Sequence, residues 1–508
     1  MIIAVMQEKQ AKKTHKSRLT RAFALFAALF LAVPYLGGFS AHAATYEERQ
    51  AQMEERKNDP VETNQYAHWP AGPAIGTDGA VLLEANTGTV LYAKNPHKRL
   101  YPASTTKVMT ALLAYENLLL TDEVTFSHEA VFSIERGSSN IGMDEGEMIT
   151  VEEALYGLMV GSANEVANAL AETVSGSIDA FSDLMNEKAA ALGCTNTHFT
   201  NPHGLFHEEH YTSAYDLALI SAEYFKSNLL IQVGSTPTYH FLPTATQPDD
   251  FTLHNKHKLI NGEMPYEGIM GGKTGYTSEA RETLVTCCER DGMKLVCVIL
   301  KEESPYQFTD TVELFDYGFS NFKAVNVAEN AADYAESDNS FFDLGTDIFG
   351  VSGSVASIDP EAYVVLPKSA SLADCTTQIT YGDTIDEAGA LAEIGYYFGD
   401  LYVGSAALTV TIPESASAGE AEGADAMDFD LNGSEVFAAD TNASSSTVYV
   451  NIKRIIFFVI FIAAILIAGS YIYALLSGMN LSLNRKDRRR YRRRKKEATR
   501  PSRFDDYL

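Results

Sequence analysis

In the stretch YPASTTKVMTALL, residues 101–113, a serine and a lysine stand three residues apart just behind a proline. On a helix, Ser104 and Lys107 share a face one turn apart, so the lysine amine can reach the serine hydroxyl and take its proton. The positive end of the helix dipole then favours charge developing on that oxygen. Spacing alone does not single this pair out, because Ser320 and Lys323 repeat it.

Two further groupings narrow the choice. Lys273-Thr274-Gly275 lies in IMGGKTGYTSEARETLVTCCERDGMKLVCVIL, where a glycine-flanked run leads into two strand-like stretches. A lysine there offers a fixed positive charge, Thr274 a hydroxyl donor, and Gly275 room for a substrate backbone beside a strand edge. Ahead of the charge-free run at 455–476, Ser-x-Asn occurs three times, at Ser138–Asn140, Ser162–Asn164 and Ser337–Asn339. The last lies beyond Lys273 and the first sits in a polar loop. Ser162 follows an apolar helical pattern that would carry it, with Asn164, into a cleft.

The elements that must hold these residues are legible in outline. Pro102 suits a helix start, and Val108, Met109, Leu112 and Tyr115 follow helical spacing behind it. AVLLEANTGTVLYAK reads as a hairpin around Asn86-Thr87-Gly88, and FTDTVELFDYGFSNF, 308–322, as a helix closing a first domain. Around 361–411, AYVVLPKS, TTQITY and LYVGSAALTVTI read as strands of a second, β-rich domain, 321–412. The first domain spans 66–320.

The flanks place the chain at a membrane. Residues 1–43 run from a basic end through AFALFAALFLAVPYL to Ala41-His42-Ala43, the order of a signal peptide. Residues 455–476 carry no charge, and at about 1.5 Å per residue reach roughly 33 Å, enough to span a bilayer as a transmembrane helix. The arginine-rich tail after it, 477–508, is expected to stay cytoplasmic against anionic lipid, with all before it outside. An acidic, Ala/Ser/Gly-rich linker, 413–450, is expected to form a flexible tether. The chain holds 39 basic and 67 acidic residues; without the signal and the tail, 21 and 62 remain, a net charge near −41. That excess argues against a nucleic-acid partner. Five cysteines, an odd count, point to structural thiols rather than a disulfide framework. His203, His207 and His210 invite a metal reading, but His207 and His210 are three apart rather than the four of a zinc helix. They are expected to be exposed histidines of a loop, with no metal and no cofactor.

Ser-x-x-Lys, Ser-x-Asn and Lys-Thr-Gly in this order are the set of the penicillin-binding proteins and β-lactamases. YPASTTKVMTALLA, EEALYGLMVGSANEVANALAE, LMNEKAAALGCTNTHFTNPHGL and GGKTGYT are similar to stretches of the serine D-alanyl-D-alanine carboxypeptidases, the low-mass penicillin-binding proteins. The resemblance covers about 68–320, with a weaker likeness to that family's β-sandwich appendage up to 411. It implies an α+β fold, an antiparallel sheet with helices and the site between the sheet and a helical lobe. It also implies that Ser104 attacks the carbonyl between two D-alanines of a peptidoglycan stem peptide and that neutral Lys107 takes its proton. Ser162 and Asn164 would relay protons and hold the substrate amide. Lys273 and Thr274, beside Gly275, would bind the terminal carboxylate, and the N–H groups of Ser104 and Tyr276 would form an oxyanion hole. β-Lactam antibiotics would acylate Ser104. A β-lactamase-like hydrolase on the same triad, and a silent peptidoglycan-binding module, are the alternatives. Two positions depart from the family, which commonly has glycine where Ala163 and Arg281 stand.

Overall fold

The computed structural model describes residues 45–330, 356–381 and 390–410. The expected signal peptide, linker, transmembrane helix and basic tail lie outside them. Among the described residues no helix is long and apolar enough to cross a membrane.

The chain enters through helix α1 (Tyr46–Arg56), whose N-terminus is closed by reciprocal hydrogen bonds between Thr45 and Glu48. Strands β1 (Gly79–Glu84) and β2 (Val90–Lys94) then form the expected hairpin. Gly88 takes the left-handed conformation in its turn, φ +74°, and the Glu84 carboxylate accepts the Thr87 N–H at 2.8 Å.

A helical lobe follows: α2 (Lys107–Asn117), α3 (His128–Phe132), α4 (Val151–Met159), α5 (Asn164–Ser175), α6 (Ile178–Ala191), α7 (Ala214–Tyr224) and α8 (Asn228–Gly234). Two small hairpins fasten it, β3 (Glu123–Thr125) with β4 (Met148–Thr150) and β5 (Thr238–Phe241) with β6 (Phe251–His254). The chain returns to the sheet in β7 (Ile269–Thr277), β8 (Arg281–Arg290) and β9 (Met293–Glu302), and then forms α9 (Tyr306–Asn321).

The five antiparallel strands run in the order β2-β1-β9-β8-β7, which leaves β7 at an edge. Both faces of the sheet are covered, which is why the strands read as continuous apolar runs rather than alternating ones. Val81, Val285 and Val298 face the helical lobe, while Leu82, Leu284 and Ile299 face α9. Each such side chain taken from water contributes about 1.5–3 kcal/mol. Cys287 and Cys288, neighbours in β8, point to opposite faces of the sheet, and among the described residues no disulfide joins any of the cysteines.

Strand β10 (Phe322–Asn326) continues straight out of α9 and pairs with β12 (Tyr363–Pro367). The strands β11 (Ala356–Ile358), β13 (Thr376–Tyr381), β14 (Ala390–Phe398) and β15 (Leu401–Val410) make a sheet in the order β11-β15-β14-β13. The strands expected from the sequence in this region are β12, β13 and β15; β14 was not expected. Phe322, Val364, Tyr396 and Val403 share one hydrophobic core with Leu82 and Leu284 of the main sheet.

Candidate active site

The sequence placed Ser104 on the helix that carries Lys107. It stands instead on a single 3₁₀ turn, Ala103–Thr106, ahead of α2. With three residues per turn, positions i and i+3 eclipse, so this geometry brings the two side chains closer than an α-helix would. Ala103 takes φ +49° to set the turn. Lys107 Nζ lies 3.1 Å from Ser104 Oγ and donates to Asn164 Oδ1 and to the His203 carbonyl, both at 2.7 Å. Lys107 is fully buried, and its amine is held well below the usual lysine range, first by burial and then by the charge of Lys273. A neutral amine has two N–H donors and one lone pair. Asn164 and His203 take the two donors, which leaves the lone pair for the proton of Ser104.

Asn164 reaches this position because α4 ends at Met159 and a short turn redirects the chain into α5. Ser162 occupies that turn, buried and with φ +59°. Such a conformation is uncommon for a residue other than glycine and must be held by its surroundings. The surroundings include the loop of the first Ser-x-Asn grouping. The Ser139 carbonyl accepts the Asn164 N–H at 2.9 Å, and the buried Glu165 carboxylate accepts the N–H groups of Ile141 (2.6 Å) and Gly142 (3.2 Å). That loop is thus fastened to Asn164 rather than remote from it. Ser337–Asn339 lies outside the described residues.

Strand β7 forms the opposite wall. A Cβ at Gly275 would stand 2.8 Å from Ser104 N and 3.0 Å from Thr105 N, so only glycine lets the strand approach the 3₁₀ turn this closely. Across β8, the Thr283 hydroxyl donates to the Pro102 carbonyl at 2.8 Å, which ties the sheet to the same turn. Lys273 is 2% exposed and its amine is pushed down to about 7 by burial and by Lys256. Its Nζ donates to the Thr274 carbonyl at 2.8 Å. Thr274 is half-buried and Tyr276 exposed.

The histidine loop differs from expectation. Of the three histidines only His207 is exposed; His203 is half-buried and His210 fully buried. The loop folds beneath the Ser104 turn, where a Cβ at Gly204 (φ +85°) would collide with the Ala103 carbonyl. His210 Nδ1 accepts the Thr200 N–H at 3.1 Å, so Nε2 carries the proton and donates to Thr106 Oγ1 at 2.9 Å. Burial holds His210 down to about 3. The sequence reading missed three contributors: the His203 carbonyl, Glu165 and His210. Of these only Glu165, directly after Asn164, carried a visible signal.

The family model for D-alanyl-D-alanine carboxypeptidases matches residues 65–304. The D-alanyl-D-alanine carboxypeptidase DacF of Bacillus subtilis is 37% identical over 273 residues, 53% of this chain and 66% of that protein. DacB2 of Mycobacterium tuberculosis is 32% identical over 261 residues, 49% of this chain and 86% of that protein. The chain belongs to the serine-type D-alanyl-D-alanine carboxypeptidase family. The solved structure of DacD from Francisella tularensis, at 23% identity and a TM-score of 0.50, covers 67% of this chain and 96% of its own, and shares the fold. Both departures from the family pattern are now placed in the enzyme. Ala163 caps α5 with φ −67°, a conformation open to any residue. Arg281 opens β8 with φ +57°, where glycine would sit without strain.

Proposed function

We propose that the chain is a membrane-anchored enzyme that removes the terminal D-alanine from peptidoglycan stem pentapeptides through an acyl-enzyme. The observation that carries the reading is the Lys107 amine, buried and 3.1 Å from Ser104 Oγ, with two carbonyl oxygens occupying its N–H donors. Ser104 Oγ attacks the carbonyl between the two D-alanines while its proton passes to Lys107 Nζ. The C–N bond breaks, the leaving amine takes a proton through Ser162 and Lys107, and water later releases the shortened peptide from Ser104. Asn164 holds the substrate amide. Lys273 and Thr274 hold the free carboxylate, and the N–H groups of Ser104 and Tyr276 face the developing oxyanion beside Gly275. β-Lactams, which imitate the acyl dipeptide, acylate the same serine.

In this reading residues 1–43 are a signal peptide, 66–320 the catalytic domain, 321–412 a β-rich appendage and 413–450 a tether. Residues 455–476 span the cytoplasmic membrane, with the tail inside against anionic lipid. The test is incubation of the purified protein with a stem pentapeptide while free D-alanine is measured. Stoichiometric release from wild type and none from Ser104→Ala supports the reading. A folded, penicillin-reactive protein that frees no D-alanine overturns it. For the topology, protease added outside intact cells should remove everything before about residue 450 and spare the tail.

A further inference from the structure

Arg281 departs from the family at the entrance of β8, and its side chain is engaged on both sides. Its guanidinium makes a two-pronged ion pair with Glu303, Nε to Oε1 at 3.0 Å and Nη2 to Oε2 at 2.8 Å. Glu303 is nearly inaccessible and also lies 3.5 Å from Arg49 of α1. The remaining nitrogen, Nη1, donates to the Tyr276 hydroxyl at 3.1 Å, and the guanidinium lies 5.4 Å from the centre of the Tyr276 ring. A planar fork held by a carboxylate is a rigid support, since little side-chain freedom remains to be lost when it binds a further group. Tyr276 nevertheless stays 53% exposed. It is an aromatic side chain presented to solvent and held at its tip.

The order of residues along β7 says which part of a substrate meets it. Lys273 and Thr274 stand at the carboxylate end, under the function proposed above, on which this inference rests. Gly275 touches the Ser104 amide. Tyr276 comes next in the strand, away from the leaving D-alanine, so it flanks the part of the peptide that stays on Ser104 as the acyl group. An extended peptide laid along the edge strand β7 carries its upstream residues past Tyr276. The Tyr276 oxygen already accepts from Arg281, which leaves its own O–H to donate. Donation to it by a cation strengthens that outgoing hydrogen bond.

We propose that Arg281 is a positioning residue that fixes Tyr276 as a hydrogen-bond donor for an acceptor group, a carbonyl or carboxylate oxygen, on the stem peptide upstream of the amide that joins it to the first D-alanine. The pair thereby sets a preference for peptides extended on the acyl side. Neither residue takes part in proton transfer.

The test compares two free-acid substrates, acetyl-D-Ala-D-Ala and an acetylated peptide with the same end and two more residues upstream. Wild type should prefer the longer one in kcat/KM. Arg281→Gly, which also relieves the positive φ, and Tyr276→Phe should each cut that preference by about tenfold, the effect of one lost hydrogen bond at the upper end of the ordinary range. The change should appear in KM more than in kcat. The double variant should lose no more than either single one, because both act through one contact. Arg281→Lys, which keeps the charge without the fork, should recover part of the preference. Thermal melting and penicillin labelling of each variant confirm that it folds. Equal losses on both peptides would put Arg281 with the free carboxylate or with the fold in general, and would overturn the inference alone. So would an unchanged preference in Arg281→Gly, or additive losses in the double variant. Absence of D-alanine release from either peptide by wild type would overturn the carboxypeptidase reading and this inference with it.

Discussion

Lys273→Arg is the sharpest perturbation of the site, because it changes a titration without removing a charge. Burial and the neighbouring Lys256 push the Lys273 amine down to about 7. If its ammonium holds the substrate carboxylate, free enzyme that has lost this proton cannot capture a free-acid substrate. The profile of kcat/KM reports groups on the free enzyme, so its alkaline limb should follow Lys273. The protonated fraction falls from about half at pH 7 to about one hundredth at pH 9, a roughly fifty-fold drop in kcat/KM. Lys107, which must be neutral and is held well below its usual range, shapes the acid limb instead. Arginine keeps its charge throughout this range. Lys273→Arg should therefore flatten the alkaline limb, even if its larger head lowers the absolute rate. The assay is D-alanine release at limiting substrate across the pH range, alongside the second-order rate of acylation by a carboxylate-bearing penicillin. A wild-type profile that is level between about pH 7 and 9, or an alkaline limb that survives in Lys273→Arg, would refute the assignment of that limb to Lys273.

Other expectations follow from the same geometry. A fluorescent penicillin should label wild type and Ser320→Ala covalently and leave Ser104→Ala dark, since Ser320 is exposed at the end of α9, which packs on the face of the sheet opposite the helical lobe. The lowered amine of Lys273 means that the unfolded chain holds a proton the folded one lacks between about pH 7 and the unfolded value near 10.4, so this group makes the fold more stable as pH rises through that window. Lys273→Met should accordingly raise Tm at neutral pH and below while abolishing activity, with the gain shrinking toward the top of the window. His210 is held down to about 3, so its contribution is lost as pH falls from about 6.5 toward that value. His210→Ala should flatten that part of the acid dependence. It should also cost about 1–3 kcal/mol at neutral pH, measured by denaturant unfolding, because Thr106 and Thr200 lose their buried partner.

What the sequence disclosed follows physical lines. Local pattern was legible: the hairpin around Gly88, the helix now seen as α9, and strands β12, β13 and β15 each carry their own turn residues or apolar period. Residue-level chemistry was legible where spacing is short, as for Ser104 with Lys107. Hidden from it were features set by contacts far apart in the chain. The 3₁₀ turn at Ser104 depends on Gly204 pressing from beneath and Thr283 tethering Pro102, roughly a hundred and two hundred residues away. A backbone carbonyl such as that of His203 leaves no mark in a sequence, since every residue has one. His210 looked exposed because glycine and proline mark a loop, and a loop is ordinarily at the surface. This one is covered because it serves as the floor of the site.

The core shared by the main sheet and the C-terminal strands has a practical side. The chain's single tryptophan, Trp69, sits at that junction, its ring centre 4.8 Å from Phe322 and 6.3 Å from Phe398, with its indole N–H donating to the Leu91 carbonyl at 3.0 Å. One fluorophore therefore watches one seam. Cutting the chain after α9 would strip both Phe322 and Phe398 from it and let water reach the indole, shifting its emission to the red without any added dye. The protein thus carries its own optical gauge of whether the β-rich strands are docked, readable in the same cuvette as its chemistry.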